Sequence, residues 1–187
     1  SCEPPMSSTT KHKAIAIPVV STANGYIFLT ARDRRHQEWL FVTGGCRKRE
    51  ISNPLRTALR ELLEETRGVI DLKEGQYSDF KFSIQEDGCE LIYTVFVFFV
   101  DYDANHRERI VKQFSDECAR YQLRKLNKQP IKRVYDENDI LAFESLQEFN
   151  AHASKWSLIV NNVIRNPSFY DALRTEPEKR KPFNFNK

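Results

Sequence analysis

The stretch Gly44–Val69, GGCRKREISNPLRTALRELLEETRGV, constrains the chain more than any other. At its centre Arg60-Glu61-Leu62-Leu63-Glu64-Glu65 crowds three carboxylates together. On an α-helix, positions three and four apart share a face, so Glu61, Glu64 and Glu65 project together. Such a face repels itself unless it pairs with neighbouring arginines (Arg56, Arg60, Arg67) or a hard divalent cation collects its oxygens. Mg²⁺ favours carboxylate, carbonyl and water ligands and binds substrate phosphates alongside one or two carboxylates. The cluster therefore points to Mg²⁺ (or Mn²⁺) and a phosphorylated ligand.

The flanks of this helix are marked in the sequence. Asn53 is suited to the N-cap, and Pro54 to the first helical position, where its missing N–H costs nothing. Leu55, Ala58, Leu59, Leu62 and Leu63 form an apolar stripe, which sets the carboxylates at the edge of the core. The helix is expected to end near Thr66 or Arg67, with Gly68 in the left-handed C-terminal conformation. Upstream, Gly44-Gly45 follows the apolar run Trp39–Val42, an order that reads strand, Gly-Gly loop, Glu50, capped helix. Paired glycines there permit close backbone approach and leave a carbonyl available to a metal.

With 187 residues, 40% hydrophobic and 29% charged, the chain reads as one globular domain. A net charge of +3 is too mild to argue by itself for nucleic acid. Cys2, Cys46, Cys89 and Cys118 show no metal-ligand spacing, so free thiols in a reducing intracellular, cytoplasmic setting are expected. No apolar run approaches membrane-span length, and nothing at the N-terminus reads as a signal peptide. The single methionine, Met6, suggests a natural start there, with residues 1–5 added upstream.

Along the chain, residues 1–12 read as a flexible N-terminus, 13–174 as the domain, and 175–187 as a disordered basic tail. Strands are expected at Ala14–Val20, Gly25–Ala31, Trp39–Thr43, Val69–Leu72, Tyr77–Ile84 and Glu90–Tyr102, with turns at Asn24-Gly25 and Asp87-Gly88. The Val-, Phe- and Tyr-rich run Glu90–Tyr102 should be a central strand buried on both faces. Asn105–Lys128 has helical spacing of Ile110, Val111, Phe114, Cys118 and Tyr121. It is also basic, through His106, Arg107, Arg109, Lys112, Arg120, Arg124, Lys125 and Lys128, and reads either as a solvated face or as a surface for RNA backbone. Lys132–Phe143 should hold a short strand and an acidic loop, followed by helices at Ser145–Phe149, Lys155–Val163 and Pro167–Leu173.

The residues Arg60-Glu61-Leu62-x-Glu64-Glu65, preceded by Gly-Gly and followed by Gly68-Val69, resemble the Nudix hydrolase signature G-x5-E-x7-R-E-U-x-E-E-x-G-U, where U is aliphatic. Gly44 and Glu50 keep the x5 spacing, but nine residues separate Glu50 from Arg60 where the family has seven. Two residues, Thr66 and Arg67, precede Gly68 where the family has one. The resemblance implies an α+β Nudix fold, a mixed β-sheet sandwiched between α-helices. It also implies hydrolysis of a nucleoside diphosphate linked to another moiety.

Carried onto this chain, the resemblance makes Glu61, Glu64 and Glu65, with the Gly45 carbonyl, the metal ligands. Glu61, Glu65 and Arg60 become the catalytic set, with Arg60 orienting a glutamate because a guanidinium cannot serve as a base. Arg32, Arg47, Lys48 and Glu50 are expected near substrate, Glu50 also as a brace for Arg60. Arg34, Arg35 and Arg49 add basic charge to the same loops. Glu137 is a candidate extra base, with Asp139 beside it. The GGCRKRE loop and EETRGV are similar to Nudix proteins of large DNA viruses, which implies 5′-capped mRNA as a substrate. Nucleoside triphosphates, ADP-ribose, dinucleoside polyphosphates and diphosphoinositol polyphosphates are the small-substrate alternative. A third reading is a Nudix module that binds a nucleotide without cleaving it.

Overall fold

The computed structural model describes residues 9–186. Eight strands form one mixed sheet: β1 (Thr9–Thr22), β2 (Gly25–Asp33), β3 (Trp39–Leu40), β4 (Val42–Gly45), β5 (Glu74–Glu86), β6 (Cys89–Phe99), β7 (Asn138–Ser145) and β8 (Lys181–Asn184). The helices are α1 (Pro54–Glu65), α2 (Ala104–Leu126), α3 (Leu146–Asn150), α4 (Val160–Ile164) and α5 (Pro167–Leu173).

β1 and β6 run parallel along Thr9–Val19, and the other described strand pairs are antiparallel. Residues alternate across a strand, so β1 serves two cores at once. Ala14 and Ala16 pack with Leu55, Ala58 and Leu62 of α1 and with Ile110 and Phe114 of α2. Ile15, Ile17 and Val19 face the opposite side, with Phe149 of α3, Val160 and Val163 of α4 and Phe169 of α5. The sheet is thus sandwiched between helices. As expected, β6 is central and mostly buried, between β1 and β5.

The turns follow the residues that favour them. Asp87 and Gly88 both take positive φ (50° and 73°) between β5 and β6, as a two-residue hairpin requires. Ser145 caps α3 in a capping box with Glu148. Asn166 caps α5, whose Pro167 stands in the first turn.

Several expectations are corrected. Residues 9–12, expected within a flexible N-terminus, belong to β1; residues 1–8, with Cys2 and the Met6 start, lie outside the described residues. The strand expected at Trp39–Thr43 is broken at Phe41, whose ring is fully buried. Val69–Leu72 forms no strand; Ile70 plugs the core while its N–H is bonded by the Thr66 hydroxyl at 3.0 Å.

Among the described residues the tail is not disordered: Lys181–Asn184 pairs with β5 and Phe183 is buried against Tyr77 and Phe98. Two phenylalanines outweigh the polar composition there, because a single aromatic buries 150–250 Å². Cys46, Cys89 and Cys118 are free. No helix among the described residues is long and apolar enough to cross a membrane.

Candidate active site

α1 carries the site on one edge. Asn53 takes the N-cap position without a side-chain cap bond, and Pro54 opens the helix as expected. At the other end the chain closes with two bonds, Gly68 N–H to Leu63 O at 2.7 Å and Arg67 N–H to Glu64 O at 3.1 Å. That is the Schellman pattern, and it puts Arg67, not Gly68, at the left-handed closing position (φ 57°), with Gly68 next to it at 80°. The extra residue before Gly68 forces this: a non-glycine side chain accepts a strained backbone.

The N-terminal half of the site is a fully satisfied brace. Glu50 closes a 3-10 turn, Lys48–Glu50, and the turn at Ile51–Ser52 brings it back beside Arg60 despite the two extra residues. Arg60 donates to both Glu50 oxygens, Nε to Oε2 at 2.9 Å and Nη2 to Oε1 at 2.8 Å. The Arg47 N–H (2.9 Å) and the Thr57 hydroxyl (3.2 Å) donate to Oε1 as well. Arg60, first, and then these other donors hold the Glu50 carboxyl at about 2, against burial, while Glu50, first, and then Glu61 push Arg60 up. Glu50 is therefore a buried brace for Arg60.

Arg60 is a hub. Its remaining hydrogen bonds go to Glu61 (2.8 Å), Glu64 (3.3 Å) and the carbonyl of Gly45 (3.2 Å). The Gly45 carbonyl, expected among the metal ligands, accepts the hydrogen bond from Arg60 and keeps a second lone pair. Gly44 is the glycine that the carboxylates need: a Cβ there would lie 2.0 Å from Glu61 Cδ.

The second half is under-satisfied. One oxygen each of Glu61, Glu65 and Glu137 lies within 4.8 Å of the others. Glu65 is 5% exposed. Its Oε1 receives one long bond from Asn138 Nδ2 (3.4 Å), and its Oε2 is buried with no partner. Burial first, then the charges of Glu61 and Glu137, push the Glu65 carboxyl well up. Burial raises Glu61 against the opposing pull of Arg60, and desolvation together with Glu64 raises Glu137. An orphaned carboxylate oxygen among like charges suits a hard divalent cation, so the residues present fit one. Glu64 leans instead toward Arg60 and toward Arg47 (3.9 Å).

A cleft of about 350 Å³ opens beside this cluster, lined by Arg34, Arg35, Leu40, Thr43, Glu65 and Glu137 among others. Of the other sequence candidates, Arg32 is tied bidentately to Asp139 (3.0 and 2.8 Å), which withdraws both from the cleft. Arg47 and Lys48 are exposed at the brace, away from that lining. Sequence reasoning missed Asp136 and Asn138. Asp136 is buried and held between Arg34 (2.7 Å) and Arg67 (3.1 Å), and so positions the Glu137 loop. The one signal in the chain was the displaced Arg67, whose partner lies 69 residues on.

The family model for the NUDIX domain matches residues 10–156. No curated protein matches the sequence significantly. Among solved structures, the fold is similar to a MutT protein from Methanosarcina mazei Go1 (TM-score 0.54, 15% identity, 91% of this chain and 100% of that one). It is also similar to the NUDIX domain of Shewanella oneidensis NrtR complexed with ADP ribose (0.52, 11%, 88% and 90%) and to a C. elegans Ap4A hydrolase (0.50, 12%, 88% and 100%). The match over most of the chain and the intact glutamate cluster on α1 agree: this chain belongs to the NUDIX family, as a hydrolase of phosphoric anhydrides.

Proposed function

We propose that this protein is a Mg²⁺- or Mn²⁺-dependent pyrophosphohydrolase acting on a nucleoside diphosphate linked to another moiety, with 5′-capped mRNA as the lead substrate. The observation that carries the reading is the orphaned Glu65 oxygen within the Glu61–Glu65–Glu137 cluster, at the edge of a cleft that also holds Arg34 and Arg35.

Glu61 and Glu65 would hold the cation, with Glu64 in reserve behind Arg60. A bound divalent ion neutralises phosphoryl charge and makes water a nucleophile near neutral pH. Glu137 sits at the rim, makes no ion pair among the described residues, and has its carboxyl raised; it is the group placed to take a proton from water. Arg34 and Arg35 would neutralise the substrate phosphates. Arg60, itself held by Glu50, is a positioning residue that bonds Glu61 and Glu64 directly.

The basic face of α2 supports an RNA substrate, since Lys and Arg supply most backbone contacts. The small cleft favours the second reading, a compact substrate such as ADP-ribose or a dinucleoside polyphosphate, of the kind named for two of the similar structures. Product analysis with Mg²⁺ decides, using 5′-capped RNA beside free nucleotides and Glu65→Gln as control. Faster release of a cap nucleoside diphosphate than of any free-nucleotide product supports decapping. Cleavage of small nucleotides alone transfers the assignment to them, and nucleotide binding without turnover by the wild type rejects the enzyme reading.

A further inference from the structure

A second cavity, of about 390 Å³, lies beyond the C-terminal end of α1 and shares no lining residue with the cleft. Arg67, Arg120, Tyr121, Arg124, Lys132 and Tyr135 form its working wall. Its charge is lopsided. Glu117 is the one acidic residue in the lining, and it pairs with Arg120. Arg124 and Lys132 make no ion pair among the described residues.

Arg67 is the anchor. Its side chain is 4% exposed, its Nη2 donates to Asp136 Oδ1 (3.1 Å) and the Asn138 carbonyl (2.9 Å), and its Nε is buried without a partner. The guanidinium lies 5.4 Å from the ring centres of Phe114 and Tyr121. A buried arginine with a spare donor, on a left-handed backbone that Gly68 next door would adopt without strain, is a costly arrangement.

We propose that this cavity binds a nucleoside phosphate, the phosphate drawn by Arg120, Arg124 and Lys132 and the base packed against Tyr121 and Tyr135. Cations beside aromatic rings are the combination that nucleotide backbones and bases use, and the volume falls within the range of small-molecule sites. The nucleotide comes either free, as an effector, or as part of an RNA chain. Occupancy bears on catalysis through one short path. Arg67 holds Asp136, the next residue is Glu137, and Asn138 bonds both Arg67, through its carbonyl, and Glu65.

AMP has no anhydride for the enzyme to cut, so its binding tests the site independently of the catalytic reading. Calorimetric titration of AMP into the full chain should give saturable binding. The paired substitution Arg120→Ala with Arg124→Ala, both on exposed positions of α2, should weaken it at least about tenfold, roughly the loss of one charge-assisted contact. The same variant should melt at the wild-type temperature, and Glu65→Gln should bind AMP as the wild type does. Absence of AMP binding, loss in Glu65→Gln without loss in the α2 variant, or equal affinity for inorganic phosphate would each overturn the proposal. The source is read by competition: a short RNA that displaces AMP more tightly than AMP binds identifies the RNA chain, and one that competes no better identifies the free nucleotide.

Discussion

Glu50 and Glu65 lie in one site, are equally buried at 6% and 5% exposed, and are opposites. Glu50 receives four hydrogen bonds from Arg60, Arg47 and Thr57, and its carboxyl is held at about 2. Glu65 receives one long bond from Asn138, keeps one oxygen unpartnered beside two other carboxylates, and has its carboxyl pushed well up. A buried carboxylate that the protein satisfies is scaffold. One that the protein leaves unsatisfied in a like-charge setting is suited to a partner the chain does not supply, in the proposed function a divalent cation.

The comparison is broken most directly by Glu65→Gln. With Glu65 in the proposed metal-holding role, its loss removes several kcal/mol of transition-state stabilisation, so turnover should fall about 10³-fold. Without metal the variant should nonetheless melt at or above the wild-type temperature at pH 8, since an uncompensated buried charge is gone. Parallel loss of activity and fold would show that Glu65 is scaffold like Glu50.

Glu50→Gln should do the reverse, destabilising the protein while cutting turnover about 10- to 100-fold, the cost expected for a partner that orients ligands. Retained stability with lost turnover would move Glu50 into the reacting centre.

Gly44→Ala inserts a methyl where Glu61 lies, and overpacking of this sort costs about 1–3 kcal/mol. Circular dichroism melting should register that loss, whereas Gly45→Ala, with no atom near its Cβ position, should cost less. Equal effects would contradict the assignment of Gly44 as the close-approach glycine.

Mg²⁺ in hundredfold excess over its dissociation constant should stabilise the wild type by about 2.7 kcal/mol, and Glu65→Gln by much less. An identical melting shift in both proteins would remove Glu65 from the metal site.

The smallest effect is in the acid limb. A carboxyl lowered from 4.5 to about 2 stabilises the fold above pH 4.5, and that contribution is lost as pH falls from 4.5 toward 2. Denaturant midpoints of the wild type and Glu50→Gln should therefore converge across that window, and a constant gap would place the Glu50 contribution elsewhere.

The motif helix was legible residue by residue. Pro54 marks its start, the leucine stripe its buried face, and the RELLEE pattern its acidic edge. These are local properties, set by helical periodicity and by what proline and glycine permit. Spacing alone misled at Glu50, because counting residues does not reveal that a 3-10 turn and the following turn absorb two of them and return its carboxylate to Arg60. Composition misled at the tail, where Phe183 finds a place on the sheet edge that no local pattern announces.

By itself the sequence determined the family, the order of elements around the motif, and the three glutamates on one helix edge, because each depends on neighbours within a few turns. Only the tertiary structure decided which carboxylates are satisfied and which are not. Glu137, Asp136 and Asn138 reach the cluster across some 70 residues of chain, and hydrogen-bond partnership over that distance is set by packing of the sheet against α1 and α2, not by any local propensity.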